Sequence, residues 1–161
     1  MRKAVKMVMS VVMIAALLVG NFGMTSQAAD LNQGTENPEV LEAEVIDMGE
    51  GTLPYTSLAQ CIISISGHDD GMYIDITTGA DGKASVIGVK DVKIERKFWY
   101  GWSTVATSSG GEIHDRTMMA VCITYANAVK DATYRISCVH YADVNGYMEG
   151  TNDTGAFVYT Y

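Results

Sequence analysis

From Leu58 to the end of the chain the apolar side chains recur at every second position rather than every third or fourth. Ala59, Cys61, Ile63 and Ile65 alternate with Gln60, Ile62 and Ser64, and Met72, Ile74 and Ile76 alternate with Tyr73, Asp75 and Thr77. A period of two is the signature of a strand with one buried face. Further segments of the same kind run over Val86–Arg96, Trp102–Thr107, Thr117–Ala126, Thr133–Ala142 and Tyr147–Tyr161, the last expected to bend at Gly150 and Gly155. Between them stand Asp69-Asp70-Gly71, Asp81-Gly82, Ser109-Gly110-Gly111 and Asn145-Gly146, residue groups that tolerate the positive φ of tight turns. About seven short strands and no long amphipathic helix predict an all-β fold, an antiparallel β-sandwich over residues 58–161 with a single core.

The only other apolar run has a different character. Met7 to Gly20 is broken only by Ser10, follows a cationic start at Arg2, Lys3 and Lys6, and precedes Ser26-Gln27-Ala28. A short apolar run between basic residues and a small-x-small site reads as a secretory signal peptide over residues 1–28. About 14 residues are too few to cross a bilayer core of about 30 Å comfortably, so no membrane association is expected after cleavage. The expected address is secreted and extracellular.

Charge narrows the partners. Without Arg2, Lys3 and Lys6, eight basic residues face nineteen acidic ones, eight minus nineteen giving a net charge of −11. Nucleic acid, anionic lipid and anionic polymers would be approached against a repulsive field. A protein or a neutral glycan remains as the expected partner. Seven of the acids, Asp30, Glu36, Glu39, Glu42, Glu44, Asp47 and Glu50, fall in one stretch without Lys or Arg. Residues 29–57 therefore read as an acidic, flexible leader, with room for a short strand or turn at Val40-Leu41 and Val45-Ile46.

The run Tyr134-Arg135-Ile136-Ser137-Cys138-Val139-His140-Tyr141, then Ala142 to Gly146 and Tyr147-Met148-Glu149-Gly150, resembles the sixth strand, turn and seventh strand of fibronectin type III and related immunoglobulin-like modules. Tyr134 sits where those modules place an inward tyrosine whose hydroxyl ties down a corner. Ile87 to Arg96 followed by Gly101-Trp102-Ser103-Thr104-Val105 resembles a strand and hairpin of the same modules, which implies that Trp102 folds over the core. The whole plan is similar to an uncharacterised family of small secreted Gram-positive bacterial proteins with one immunoglobulin-like sandwich. That family has no established activity, so the resemblance implies a fold and an address only.

Strand phase bears on the three cysteines. If Tyr134 and Ile136 face the core, so does Cys138, and if Ile63 and Ile65 face it, so does Cys61. A Cys61–Cys138 disulfide is expected, with Cys61–Cys122 as the alternative; export permits either. A loop of about 78 residues closed this way would contribute roughly 4.5 kcal/mol by the loop-entropy model. Val121 and Ile123 are the better core residues of their strand, which turns Cys122 outward. The chain is expected to be a monomer, with a disulfide dimer through Cys122 as the other option.

Phe98-Trp99-Tyr100, before Gly101-Trp102, is the most unusual run. Neighbours on a strand face opposite sides, so Phe98, Trp99 and Tyr100 do not all point inward, and at least one ring is expected in solvent at a hairpin tip. Such rings suit a partner's pocket or the face of a sugar. The acidic turns lack the spacing of a calcium loop, and turn chemistry accounts for them. His68, His114 and His140 are scattered, and no catalytic motif accompanies them. Cys138 and His140 are about 7 Å apart along one strand face, which predicts no thiol–imidazole hydrogen bond and a satisfied, buried His140. No catalytic residue, cofactor or metal is assigned. The sequence therefore points to a non-catalytic interaction or surface structural module. A glycan-binding module using the rings of residues 98–102 is the alternative, and a small secreted enzyme is disfavoured.

Overall fold

The structure, a computed structural model, describes residues 37–49 and 58–161. The signal-peptide reading of residues 1–28 lies outside the described residues, as do both flanks of the acidic leader. The described chain is all-β. It forms β1 (Glu39–Val40), β2 (Glu44–Asp47), β3 (Leu58–His68), β4 (Gly71–Phe98), β5 (Gly101–Ser108), β6 (Gly111–Tyr125), β7 (Thr133–Asp143), β8 (Tyr147–Asp153) and β9 (Phe157–Val158).

One strand organises the sheet. β4 runs for 28 residues and joins two segments expected to be separate strands. Asp81-Gly82, expected as a turn, bends β4 without ending it. The ladder to β6 slips between Gly79 and Ala84, where four residues of β4 stand opposite Thr117 alone, and Gly82 has a φ of 145°. A second slip, between Lys90 and Lys93 on the β7 side, surrounds Asp91 with its φ of 53°. Bulges of this kind bend a strand and re-aim its side chains. The buried set changes phase along β4, from Met72, Ile74, Ile76, Thr78, Ala80 and Ala84 to Ile87 and Val89, then to Val92 and Ile94.

The partners of β4 change at the same places. Its first part lies between β3 and β6, its middle between β6 and β7, and its last part between β5 and β7. β5 and β6 follow one another along the same side of β4, so β4 and the β5–β6 arm make one long antiparallel ribbon. At the join, a Cβ on Gly110 would lie 2.1 Å from the Val89 carbonyl oxygen, and φ there is +74°, so only glycine fits. β8 and β9 extend the sheet beyond β7.

The sheet curls, and the free edge of β3 approaches β8. Asn152 Nδ2 donates to the Cys61 carbonyl at 2.9 Å, and Tyr159 Oη donates to the His68 carbonyl at 2.8 Å. The core enclosed by the curl includes Met72, Ile74, Ile76, Ile87, Ile94, Met119, Ile123, Tyr134 and Ile136. Tyr134 is wholly buried, and its hydroxyl accepts the Val129 N–H at 2.8 Å, pinning the β6–β7 connection.

Residues 39–47 of the leader lie on the other side of the ribbon. β1 pairs in parallel with β5, and β2 pairs antiparallel with β6. Leu41 and Ala43 pack against the core, and Arg116 Nε donates to Asp47 Oδ2 at 2.6 Å. Two otherwise open strand edges are thereby covered.

Candidate functional site

The hairpin tip is the most exposed apolar feature of the described chain. Phe98 pairs with Gly101, so Trp99 and Tyr100 form the two-residue turn between β4 and β5. Trp99 is 91% exposed and Tyr100 is 50% exposed, whereas Phe98 is half-buried. The Phe98 and Tyr100 rings lie 5.3 Å apart and within 3° of parallel, and Trp99 meets Tyr100 edge-on at 5.3 Å. The Arg96 guanidinium is 5.0 Å from the Phe98 ring centre. Ring stacking and cation–π contact hold the tip in shape and leave one indole free in water.

Trp102 is a correction. It opens β5 half-buried with the Arg135 guanidinium 4.7 Å from its ring, and it is outside the buried core. The bulge between Ile94 and Glu95 is the reason, because it places Trp102 on the outward phase with Glu95. Arg135 in turn holds Glu95 through two hydrogen bonds, at 2.5 and 3.0 Å.

Between the two halves of the curled sheet lies a buried polar group. His140, Thr78 and Cys138 are at most 1% exposed. Thr78 Oγ1 and His140 Nδ1 are 2.7 Å apart, and Thr78 Oγ1 also donates to the Gly88 carbonyl at 3.3 Å. Cys138 Sγ lies 3.4 Å from His140 Nε2, which corrects the expectation that strand spacing keeps them apart. The two side chains lean together across about two residues of strand, and sulfur bonds at longer range than oxygen. With both ring nitrogens engaged, His140 is the satisfied histidine that the sequence predicts.

This pair is not poised for nucleophilic chemistry. Burial pushes the His140 imidazole down to about 4 and the Cys138 thiol up to about 12. Both shifts favour the neutral forms, the opposite of a thiolate–imidazolium couple.

All three cysteines are free thiols, so the Cys61–Cys138 bridge is not formed in the structure. Neither is the alternative Cys61–Cys122 bridge. Cys122 is half-exposed and donates to Asp75 Oδ1 at 2.8 Å. Burial, then Asp75 and Glu44, push its thiol up to about 11.

A surface network that sequence reasoning missed crosses β6, β4, β7 and β8. Glu112, Gly88, Tyr141 and Glu149 form one row of the ladder. Gly88 leaves space for Tyr141, whose ring would meet a Cβ there at 2.3 Å, and this lets the Tyr141 hydroxyl reach Glu112 Oε2 at 2.6 Å. Lys90 Nζ bonds Glu149 and sits 5.6 and 5.8 Å from the Tyr141 and Tyr147 ring centres. Tyr147 Oη donates to Glu149 Oε1 at 2.7 Å. Lys90 and then Tyr147 lower the Glu149 carboxyl below its usual range. Tyr147 and Glu149 share a strand face in the sequence, but their link to Lys90 and Glu112 exists only through strand register.

The acidic turns are satisfied locally where they bond at all. Tyr73 Oη donates to Asp70 at 2.7 Å, and Asp143 Oδ1 accepts the Gly146 N–H at 3.1 Å. Among the described residues no three His, Cys, Asp or Glu side chains gather as a metal set. Comparison with known proteins finds no matching family model, no matching curated protein and no matching solved structure.

Proposed function

We propose that this chain is a secreted, non-catalytic β-sandwich module that binds a partner protein through the Phe98-Trp99-Tyr100 tip. One observation carries the reading: Trp99 is 91% exposed on a two-residue turn whose neighbouring rings are stacked. An aromatic side chain presented at low entropic cost is the usual anchor of a protein interface. A glycan at the same tip is less favoured, because Phe98 and Tyr100 spend their ring faces on each other and leave a single free indole. Catalysis has no support from the sealed Cys138–His140 pair.

Kinship with immunoglobulin-like sandwiches belongs to the same proposal, and strand order supports it. In that fold the second strand lies between the first and fifth, and the sixth between the third and seventh. Counting the two halves of β4 separately, the first half lies between β3 and β6, and β7 lies between the second half and β8. The Tyr134 corner is a second support.

The test uses the mature protein and its Trp99→Ala variant as bait against culture supernatant and cell-surface extracts. A specific partner retained by the first and lost by the second, with equal melting temperatures, is the expected result. Equal retention by both would remove the tip from the interface.

A further inference from the structure

The leader covers part of the β5 and β6 edges, but among the described residues no strands pair across the seam where the curled sheet meets itself. β3 pairs only with β4, and β9 pairs only with β7. Between the two lies a groove of about 390 Å³, lined by Ile63, Ile65, Phe157, Val158 and Tyr159 among others. Side chains tie its ends. Asn152 Nδ2 bonds the Cys61 carbonyl at one end. At the other, Tyr159 Oη bonds the His68 carbonyl, and the Tyr161 ring lies on Gly67, where a Cβ would meet it at 1.9 Å.

Register shows where the main-chain groups of this seam point. β3 and β4 pair without a slip from Gln60–Gly79 to His68–Gly71, and only the two-residue turn Asp69-Asp70 lies beyond the last pair. Such a turn closes on a pair that exchanges both hydrogen bonds. His68, Ser66, Ser64 and Ile62 therefore spend theirs on β4, while Cys61, Ile63, Ile65 and Gly67 turn theirs into the seam. The Asn152 bond to the Cys61 carbonyl agrees with that phase. The facing bank has the same character. Tyr159 N–H donates to the Ala132 carbonyl at 2.9 Å and its carbonyl accepts the Asp131 N–H at 2.7 Å, which turns the Val158 N–H and C=O away from β7. The outward main-chain groups of Ile63, Ile65 and Val158 have no partner among the described residues.

From this geometry we infer that the groove binds an extended, neutral segment of another protein, which adds as a strand to the β3 edge and lays alternate apolar side chains on Ile63, Ile65 and Phe157. Unpaired N–H and C=O groups at strand spacing call for a ligand with the same repeat, and a peptide main chain has it. A hydrocarbon chain would bury those groups without a partner. Edge strands are ordinarily guarded by charge, proline or a bulge. Here no charged residue and no proline occurs from Leu58 to Gly67 or from Thr154 to Tyr161, in a chain where 19% of residues are charged. Neutral walls select a neutral segment, since a charge brought between them would lose its water unpaired. The net charge of −8 on every copy disfavours a second copy of this chain as the donor. The groove shares no residue with the aromatic tip.

Amide NMR of the mature protein tests the assignment, with N-acetylated, C-amidated hexapeptides that alternate threonine with valine, isoleucine or phenylalanine as probes. At least one peptide should shift the Ile63, Ile65 and Val158 amide signals and slow hydrogen exchange at Ile63 and Ile65 by roughly tenfold or more. Its fully N-methylated counterpart, with the same side chains and no main-chain donor, should bind the unaltered protein at least roughly tenfold more weakly. Ile65→Pro, which removes a seam-facing N–H and no bond to β4, should weaken the parent peptide comparably, while Trp99→Ala should leave it unchanged. No shift at these amides with any peptide at millimolar concentration, equal affinity for the N-methylated peptide, or shifts confined to Trp99 and Tyr100 would each overturn the inference. Protection of Ile63 and Ile65 that grows with protein concentration alone would give the edge to a second copy and overturn it as well.

Discussion

The fold treats the buried His140 group and the exposed Phe98-Trp99-Tyr100 tip in opposite ways. His140, Cys138 and Thr78 are sealed between the halves of the curled sheet, bonded to one another and kept neutral. Trp99 has almost its whole surface in water. Desolvation explains the first case, because burying a charged imidazole or thiolate costs more than any partner there returns. Hairpin geometry explains the second, because a two-residue turn offers its central side chains no opposite strand to pack against. The buried imidazole and thiol are therefore part of the interior, and the Trp99 indole stays in water.

The strongest challenge to this contrast is His140→Ala. It should cost about 3 to 4 kcal/mol in chemical denaturation, since it opens a cavity and removes one of the two hydrogen bonds of the Thr78 hydroxyl. A loss below about 1 kcal/mol would mean that the group is not part of the stabilising interior.

Acid titration is nearly as large a test. The folded pKa of His140, about 4, lies below the ordinary 6.5, so the unfolded chain takes up the proton first. Stability is complete above pH 6.5, falls as the pH drops towards 4, and levels out below, with a total loss of about 3 kcal/mol from this residue. The part of the slope that belongs to His140 should vanish in His140→Gln. A slope that persists unchanged would assign it to other groups.

Thr78→Val should cost about 1 to 2 kcal/mol, because it leaves His140 Nδ1 without its partner. Cys138 should resist alkylation in the native protein and label at the ordinary rate once unfolded. Rapid native labelling would contradict the sealed site.

Trp99→Ala marks the other side of the comparison. Its stability should stay within about 0.5 kcal/mol of the parent, because little area is buried there. A loss of several kcal/mol would place the indole in the core and end its candidacy as an anchor.

Several features were legible in residue order. Alternation at Ile63-Ile65, Met72-Ile74-Ile76 and Tyr134-Ile136-Cys138 identified an all-β chain, and the consecutive rings at 98–100 required an exposed one. The continuity of β4 through Asp81-Gly82 and its bulge at Asp91 were not legible. A turn dipeptide and a bulge have the same local chemistry, and the choice depends on whether a neighbouring strand continues to pair. Here β6 does, across Ala84 to Val89. The Cys138–His140 contact was missed for a related reason: spacing along a strand fixes backbone positions but not the lean of two side chains.

Sequence by itself determined the period of two, the acidic balance and the presence of more aromatic rings at 98–102 than one strand face holds, because these depend only on neighbouring residues. Tertiary structure alone decided that residues 39–47 cover two edges and that Glu112, Tyr141 and Glu149 share one row. Apart from Tyr141 and Glu149, which face each other across one hairpin, those pairings join residues about 30 to 80 positions apart, and only strand register, set by bulges and by the curl of the sheet, brings such distant positions together.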